Sequence, residues 1–465
     1  MPRRSRREPE EPKIPIVFSA GGLDMNTGEL FEQVEEGKYA YWEEGNIIFK
    51  EQVLATNKNQ FPLEKTPWQL AQITLPYGNQ EKLWSEIRQF IYDHLFLPDP
   101  ALYDVLTGWI FASWVPEFWK TVPYIFFFGP VASGKTRGLE VLHALSYRAI
   151  LSSNISSAAL FRACQEWHPT IILDETEIYR KTEKIDIIGL LNSGYRKGQC
   201  AIRAKTSEQG VTLEVFDVFG FKALAGTEGL ASTLESRSIM IRMIKNRRKV
   251  RMFVDEAWAT DLRSKLLTWR MDKLGIKQLS TTKEELIENT NKSVKRELCE
   301  RCERFLADAT PLNVESGRIQ ELFQCLIAVA NSGREVIMNY AEKMERMRIF
   351  EEKASIEAEI VELLLKNELV LEENVVLTTE LAETFNQKRS EREKWKSSSI
   401  GRIMRRLGFQ KAHTRQGNGW LLDVERLHYL KEIYLGGGGP VEKGSHGSHG
   451  SPLSQDIRQE GSFKK

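Results

Sequence analysis

The chain has 465 residues, of which 41% are hydrophobic and 28% are charged, a composition typical of soluble globular proteins with roughly two to four domains. Its formal net charge of +1 excludes a uniformly basic protein, so any basic surface has to be local. Five cysteines at this length do not suggest a disulfide framework, which favours a reducing compartment. The apolar stretches are too short to span a bilayer, and we expect a cytoplasmic protein with no membrane partner.

The first 121 residues divide into three segments by composition. Residues 1–15 are rich in charge and proline, which predicts a disordered basic tail. Residues 16–65 contain short apolar and aromatic runs separated by glycine-containing turns, the pattern of a small β-rich module. Residues 66–121 are rich in aromatic side chains and mostly helical by pattern, and we interpret them as a helical linker.

The next segment, residues 122–250, alternates apolar runs with helical patterns. Tyr124–Phe128 is apolar throughout, as expected of a strand buried on both faces of a parallel sheet. A glycine-rich loop and a helix follow, and then the apolar runs Ala149–Leu151 and Thr170–Leu173. Strands that alternate with helices predict an α/β fold with a doubly wound parallel sheet.

The rest of this segment contains a predicted hairpin. Gln199–Thr206 and Val211–Val218 alternate around a glycine-containing turn, and Phe221–Gly226 is predicted as another core strand. Residues 251–350 are helical and rich in charge, and we interpret them as a helical lid. Beyond them, residues 352–435 form a separate small unit, and residues 436–465 are a glycine-rich disordered tail.

The glycine-rich loop has the spacing Gly-x-x-x-x-Gly-Lys-Thr and lies between a predicted strand and a predicted helix. Such a loop lets successive backbone N–H groups surround phosphate oxygens, while the helix N-terminus adds a favourable dipole. A lysine in this position reaches the β- and γ-phosphates, and the threonine hydroxyl binds Mg²⁺. The residues expected to bind ATP and Mg²⁺ are Gly129, Ser133, Gly134, Lys135 and Thr136.

Two acidic residues, Asp174 and Glu175, follow the strand Thr170–Leu173, at the sheet edge where ligands bind. We expect Asp174 to hold the Mg²⁺ shell and Glu175 to orient and polarise the attacking water. Glu177 is a second candidate for the role of Glu175. Thr227, at the end of the next core strand, is a candidate to bond the γ-phosphate or the attacking water.

Two arginines are further candidates. Arg237 precedes an apolar strand and has two interpretations: a finger that reaches the γ-phosphate of a neighbouring subunit, or a surface arginine at a strand start. Arg318 begins an amphipathic helix and is either a contact to the nucleotide of its own subunit or a solvated helix end.

In this order, the motifs resemble the AAA+ branch of the P-loop ATPases, especially the ATPase domain of helicase- or primase-like proteins from phages, plasmids and integrated elements. The segments that carry the resemblance are Gly129–Thr136 with Arg137, His168–Glu175, Leu191–Gly198, Val218–Gly226 and Leu234–Arg242. The resemblance implies an ATPase that forms a ring, with Arg137 at the nucleotide site.

A similar order of motifs occurs in the minichromosome-maintenance and superfamily-three helicases, where a hairpin before the sensor strand lines the pore of a hexamer. By this analogy, Arg203 and Lys205 would face single-stranded or forked DNA. One departure is the sensor position, which is often asparagine in these families and for which Thr227 is the nearest polar residue here. The analogy with these families implies helicase activity.

The small unit at residues 352–435 has the pattern of a winged helix. A predicted helix carries apolar residues on one face and Arg402, Arg405 and Arg406 on the other, and a hairpin follows with Arg415 in its turn. Lys388–Arg415 contains ten basic and two acidic residues, a local charge of +8 that favours DNA. The alternative is a solvated charged helix in a protein-docking module.

Three classes of function fit these features. The first is an oligomeric, ATP-driven DNA motor, helicase-like, in the replication or maintenance of a mobile element. The second is a non-motor AAA+ loader, initiator or transposition regulator that binds DNA and changes partners on hydrolysis. The third is a signalling or defence ATPase whose C-terminal unit docks protein.

Overall fold

The computed structural model of the protein describes residues 20–24, 28–35, 38–51, 66–174, 185–207, 210–227, 229–275, 296–297, 299–301, 303–305, 307, 312–366, 374–387, 389, 394–415 and 417–435. The chain divides into two compact units, residues 1–346 and 347–465. The expectations for the two terminal tails, for Glu175 and for Glu177 lie outside the described residues. Within the described ranges, no helix has both the length and the apolar content needed to cross a membrane.

The first unit begins with an antiparallel sheet in the order β1-β2-β3-β4, where the strands are β1 (Gly21–Leu23), β2 (Leu30–Glu35), β3 (Lys38–Glu43) and β4 (Asn46–Glu51). Leu30, Val34 and Ala40 are buried and belong to the same hydrophobic core as the rest of the unit. The sheet therefore packs as part of this unit and not as a separate module.

A parallel sheet forms the centre of the first unit. Its strands, together with a hairpin, are β5 (Tyr124–Phe128), β6 (Ala149–Ser152), β7 (Thr170–Leu173), the hairpin strands β8 (Cys200–Ser207) and β9 (Gly210–Asp217), β10 (Lys222–Gly226) and β11 (Ser238–Arg242). The five parallel strands lie in the order β11-β5-β10-β7-β6. All of β7 and most of β5 and β10 are buried, as their continuous apolar sequence requires. The predicted α/β class with a parallel sheet is confirmed.

Helices cover this sheet and extend the core. They are α1 (Gln80–His94), α2 (Ala101–Ser113), α3 (Lys135–Leu145), α4 (Ser157–Trp167), α5 (Ile185–Ser193), α6 (Ser232–Glu235), α7 (Glu256–Leu274), α8 (Gly317–Val329) and α9 (Arg334–Lys353). α3 packs against β5, β6, β7 and β10, and Gly138 allows this because a Cβ there would lie 2.8 Å from the Phe127 ring. α2 packs against α1 and α8, while α7 packs against α1 and α3, so the predicted linker and lid helices share one core.

A buried ion network joins the antiparallel sheet to this helical layer. Glu32 on β2 accepts hydrogen bonds from Arg148 Nη2 (2.7 Å), Arg270 Nε (2.8 Å) and the Tyr147 hydroxyl (2.7 Å). Arg270 also pairs with Glu117 at 2.6 Å. Burial is the largest single effect on the pKa of Glu117 and raises it, but the interactions with Arg270, a backbone N–H and Lys197 together hold that pKa below its ordinary value. Two carboxylates thus neutralise two buried guanidinium groups.

The second unit has its own hydrophobic core. Its elements beyond residue 353 are α10 (Ile356–Leu365), β12 (Val375–Leu377), α11 (Thr378–Asn386), α12 (Ser397–Arg406), β13 (Gln410–Thr414), β14 (Gly417–Leu421) and α13 (Val424–Leu435). The three strands form an antiparallel sheet in the order β12-β14-β13. Ile400, Ile403 and Met404 of α12 are buried, as their spacing predicted. The N-cap of this helix is Lys396, whose side chain does not accept a backbone N–H.

Candidate nucleotide-binding site

The loop between β5 and α3 requires glycine at two positions. Gly129 has φ of 150°, and a Cβ there would lie 2.4 Å from the Met243 carbonyl oxygen. Gly134, the N-cap of α3, has φ of 94° in the left-handed region. Residues with a side chain rarely adopt either backbone conformation, so the backbone geometry alone explains the two glycines of the motif.

The N-terminus of α3, like that of α2, lacks the side-chain cap that other helices of this unit have. α1, α4, α7 and α8 start at Asn79, Ser156, Asp255 and Ser316, whose side chains accept a backbone N–H. α3 has no side-chain cap, so its first N–H groups are available to an anion in the loop.

Two side chains of the loop fit a phosphate ligand. Lys135 Nζ donates to the carbonyl oxygens of Gly129 (2.9 Å) and Pro130 (2.8 Å), which holds the ammonium group across the loop, and its third N–H can reach a phosphate oxygen. The Ser133 hydroxyl is buried and has no hydrogen-bond partner among the described residues. A buried unpaired hydroxyl is costly, and a phosphate oxygen would satisfy it.

The strand register places Asp174 and Thr227 at the same sheet edge as this loop. β10 lies between β5 and β7, with Leu224 opposite both Phe126 and Leu173. Asp174 therefore follows the end of β7, which lies two strand spacings, or about 10 Å, from β5. Thr227 follows β10 and is exposed.

At this edge, the connections that leave the neighbouring strands β5 and β10 run towards opposite sides of the sheet. β5 connects through α3 towards β6 on one side, whereas β10 connects through α6 to β11 on the other side. The crevice between two neighbouring parallel strands whose connections leave in opposite directions is the usual ligand site of an open α/β sheet. Here that crevice lies between the loop at Gly129 and Thr227.

Thr136 and Arg137, which were also predicted at the nucleotide, lie in the first turn of α3. The side chain of Thr136 is exposed. Arg137 Nη2 donates to the Met252 carbonyl, and its Nε pairs with Glu140 at 3.2 Å, so this guanidinium is held by its own chain.

Arg237 lies at the opposite edge of the sheet. It directly precedes β11, and its carbonyl accepts the Tyr124 N–H (3.0 Å) at the start of β5. Gly129 lies five residues beyond Tyr124 along β5, a distance of about 16 Å. Arg237 is therefore remote from the phosphate loop of the same chain.

Arg318 lies at this opposite edge as well. Its guanidinium contacts the Tyr195 ring (5.2 Å to the centroid) and pairs with Glu321 at 2.7 Å. Arg196 pairs with the same carboxylate at 2.6 Å, and Arg237 lies 5.8 Å from the Tyr195 ring centroid. Burial raises the pKa of Tyr195 to about 12, so it remains a neutral phenol. A contact from Arg318 to the nucleotide of its own subunit does not fit this placement.

The hairpin β8–β9 places Arg203 towards α4. Its guanidinium lies 4.7 Å from the centroid of the Phe161 ring on that helix, a contact that the pore analogy did not include. The other face exposes apolar side chains, namely Ile202, Val211, Leu213 and Val215. Lys205 pairs with Thr212 in the backbone ladder, and its side chain lies outside the described residues.

The predicted DNA-contacting arginines of the second unit are exposed. Arg402 and Arg405 lie on the face of α12 opposite its buried apolar residues, and Arg415 lies in the turn between β13 and β14. Arg406 is also exposed but pairs with Glu357 of α10.

One segment beside the loop was not predicted. Residues 243–254, called the strap below, follow β11, and Met243 N donates to the Phe128 carbonyl (2.7 Å) directly before the loop. Five of the seven residues in Lys245–Arg251 are basic. This basic run is visible in the sequence, but it has no fixed spacing to a known motif that would assign it to the nucleotide site.

Comparison with known proteins gives no sequence match: no family model and no curated protein matches the chain. Solved structures with similar coordinates include JCV helicase (13% identity, TM-score 0.24), where the match covers 47% of this chain and 61% of that chain, less than two thirds of its length. Others are the NrS-1 C-terminal region (11%, 0.32, covering 86% and 94%) and Drosophila ORC bound to DNA (11%, 0.21, covering 82% and 96%). At TM-scores this low, none of these similarities establishes the fold or the activity of this chain.

Proposed function

We propose that this chain is an ATP-hydrolysing, oligomeric DNA-binding motor of the AAA+ kind, helicase-like, that serves the replication of a mobile element. The observation that carries the proposal is the uncapped N-terminus of α3 behind a glycine loop, at the crevice where the parallel sheet changes direction. Lys135, the Ser133 hydroxyl and the N–H groups of α3 supply donors to a triphosphate at this point.

The remaining residues have separate tasks in hydrolysis. Thr136 and Asp174 would hold Mg²⁺, which would supply positive charge to stabilise the phosphate oxygens during hydrolysis. Glu175, which follows Asp174 in sequence, would orient the water that attacks the γ-phosphorus. Thr227, across the crevice from the loop, is proposed to bond that water or the γ-phosphate.

Arg237 is proposed to act on the nucleotide of the next subunit, which requires a ring, in our proposal a hexamer. We expect a mixture of Arg237→Ala and Lys135→Ala subunits to hydrolyse ATP faster than the sum of the two separate variants. One interface in the mixture then joins an intact loop to an intact finger. The measurement is phosphate release at several mixing ratios.

The control for this mixture is a subunit that carries both substitutions, mixed with Lys135→Ala, because no interface then joins two intact partners. Absence of restoration would count against action between subunits. So would full activity of a species that is monomeric by light scattering.

The second unit is proposed to be a winged helix that binds DNA through Arg402, Arg405, Arg406 and Arg415. The triple variant Arg402→Ala, Arg405→Ala, Arg415→Ala is expected to weaken binding to single-stranded DNA at least about tenfold and to reduce its salt slope by about 2. Basal ATP hydrolysis is expected to persist, since these arginines lie outside the unit that contains the loop. Fluorescence anisotropy at several salt concentrations measures both quantities.

A matched control is the triple variant Lys38→Ala, Lys50→Ala, Arg346→Ala, which removes the same charge from exposed positions of the first unit. DNA affinity that is unchanged in the arginine variant would make the second unit a protein-docking module.

The second candidate function is a non-motor AAA+ switch, such as a loader, initiator or transposition regulator. The contact of Arg203 with α4 favours it, because the pore analogy does not include this contact. ATP-dependent separation of a forked DNA duplex by the purified protein distinguishes the two, since only the motor separates strands.

A further inference from the structure

The strap lies against both ends of the phosphate loop and the first turn of α3. The Met243 carbonyl contacts Gly129, and Asn246 Oδ1 lies 3.9 Å from the position that a Cβ of Gly134 would take. Further along, the Met252 carbonyl accepts a hydrogen bond from Arg137 in the first turn of α3. The strap therefore lies beside the loop, on the side of β5 that faces β11.

The strap is fixed in this position by the end of α1. Arg248 Nη2 donates to the Leu95 carbonyl (2.9 Å), and its guanidinium lies 3.8 Å from the Tyr92 ring centroid. Arg251 N donates to the Asp93 carbonyl (2.9 Å), and Arg251 pairs with Asp255 at 2.7 Å. A surface that is held this way is preorganised for a ligand.

Two large apolar side chains of the strap are exposed beside the site. Met252 and Phe253 are each 75% exposed, although both residue types are usually buried. A nucleoside triphosphate whose phosphates are held at the N-terminus of α3 leaves its ribose and base outside the loop. Arg137 in the first turn of α3 holds the Met252 backbone, which places this part of the strap beside the same end of the helix. Aromatic and thioether side chains both pack well on the face of a base.

We propose that Met252 and Phe253 form the wall on which the purine base of the bound nucleoside triphosphate packs. This inference rests on the proposed function, because it requires the triphosphate to occupy the loop. It assigns the strap to recognition of the base, whereas Lys135 and Ser133 recognise the phosphates. The exposed Lys245, Arg247 and Lys249 give the same wall a positive potential that attracts the polyanion.

Titration calorimetry with ATP and with inorganic tripolyphosphate, both with Mg²⁺, tests this assignment. Phe253→Ala is expected to weaken ATP binding about tenfold, as loss of base stacking does, while tripolyphosphate binds as in the wild type. Phe253→Tyr is expected to retain ATP affinity. Phe350→Ala is the matched control, because Phe350 is 72% exposed elsewhere in the chain.

Equal weakening of both ligands in Phe253→Ala, or unchanged ATP affinity, would overturn the base-binding role. If the wild-type protein binds neither ATP nor tripolyphosphate, the proposed nucleotide site itself fails, and this outcome is distinct from a selective failure of the strap.

Discussion

Replacement of Lys135 by alanine is expected to lower kcat/KM for ATP hydrolysis at least about 100-fold, because a preorganised cationic donor at the phosphates is lost. The carbonyls of Gly129 and Pro130 hold the ammonium group at the loop, so the group is already in position before a ligand binds. Binding of ATP is expected to weaken as well, since the charge acts on the ground state too. Phosphate release by the purified protein, with and without single-stranded DNA, is the measurement.

Two further variants separate the charge of Lys135 from its role in the loop. Lys135→Gln keeps N–H donors but no charge, and we expect it to be nearly as inactive as Lys135→Ala if the charge is what matters. Lys38→Ala removes an exposed lysine that pairs with Glu35 and is expected to hydrolyse ATP at the wild-type rate. Wild-type turnover in Lys135→Ala would place ATP hydrolysis outside this loop.

The elements around this loop were predictable because their local sequence allows few alternatives. Tyr124–Phe128 and Thr170–Leu173 are found at the predicted bounds, since a strand covered on both faces accommodates such short continuous apolar runs. The loop itself follows from its glycines, whose backbone angles exclude most other residues.

Properties that depend on how elements assemble were not predictable in the same way. Alternation predicted the hairpin β8–β9 but not which face packs, so the contact of Arg203 with Phe161 was missed. Arg318 was considered for the nucleotide of its own subunit because a helical pattern does not reveal at which sheet edge the helix lies. Glu32 and Arg270 are 238 residues apart, and no local pattern pairs them.

Replacement of Glu32 by alanine is expected to lower the free energy of unfolding by about 3–5 kcal/mol, because one partner of a buried ion network is removed. Arg148 and Arg270 are both nearly inaccessible to solvent, and Glu117 alone would then neutralise them. The antiparallel sheet would also lose its polar link to α7. Urea unfolding followed by tryptophan fluorescence measures the change.

Glu35→Ala is the matched control, because Glu35 lies on the same strand and forms an exposed pair with Lys38, a type of ion pair worth about 0–1 kcal/mol. Glu32→Gln keeps the size and an acceptor oxygen but not the charge, so a wild-type stability of this variant would show that hydrogen bonding alone suffices. The network is also expected to weaken in acid. Glu117 has a lowered pKa in the folded state, so its contribution is present above its unfolded pKa and is lost as the pH falls through the folded value. The difference in stability between the wild type and Glu117→Ala should therefore shrink over that acidic range, because a protonated Glu117 no longer neutralises Arg270.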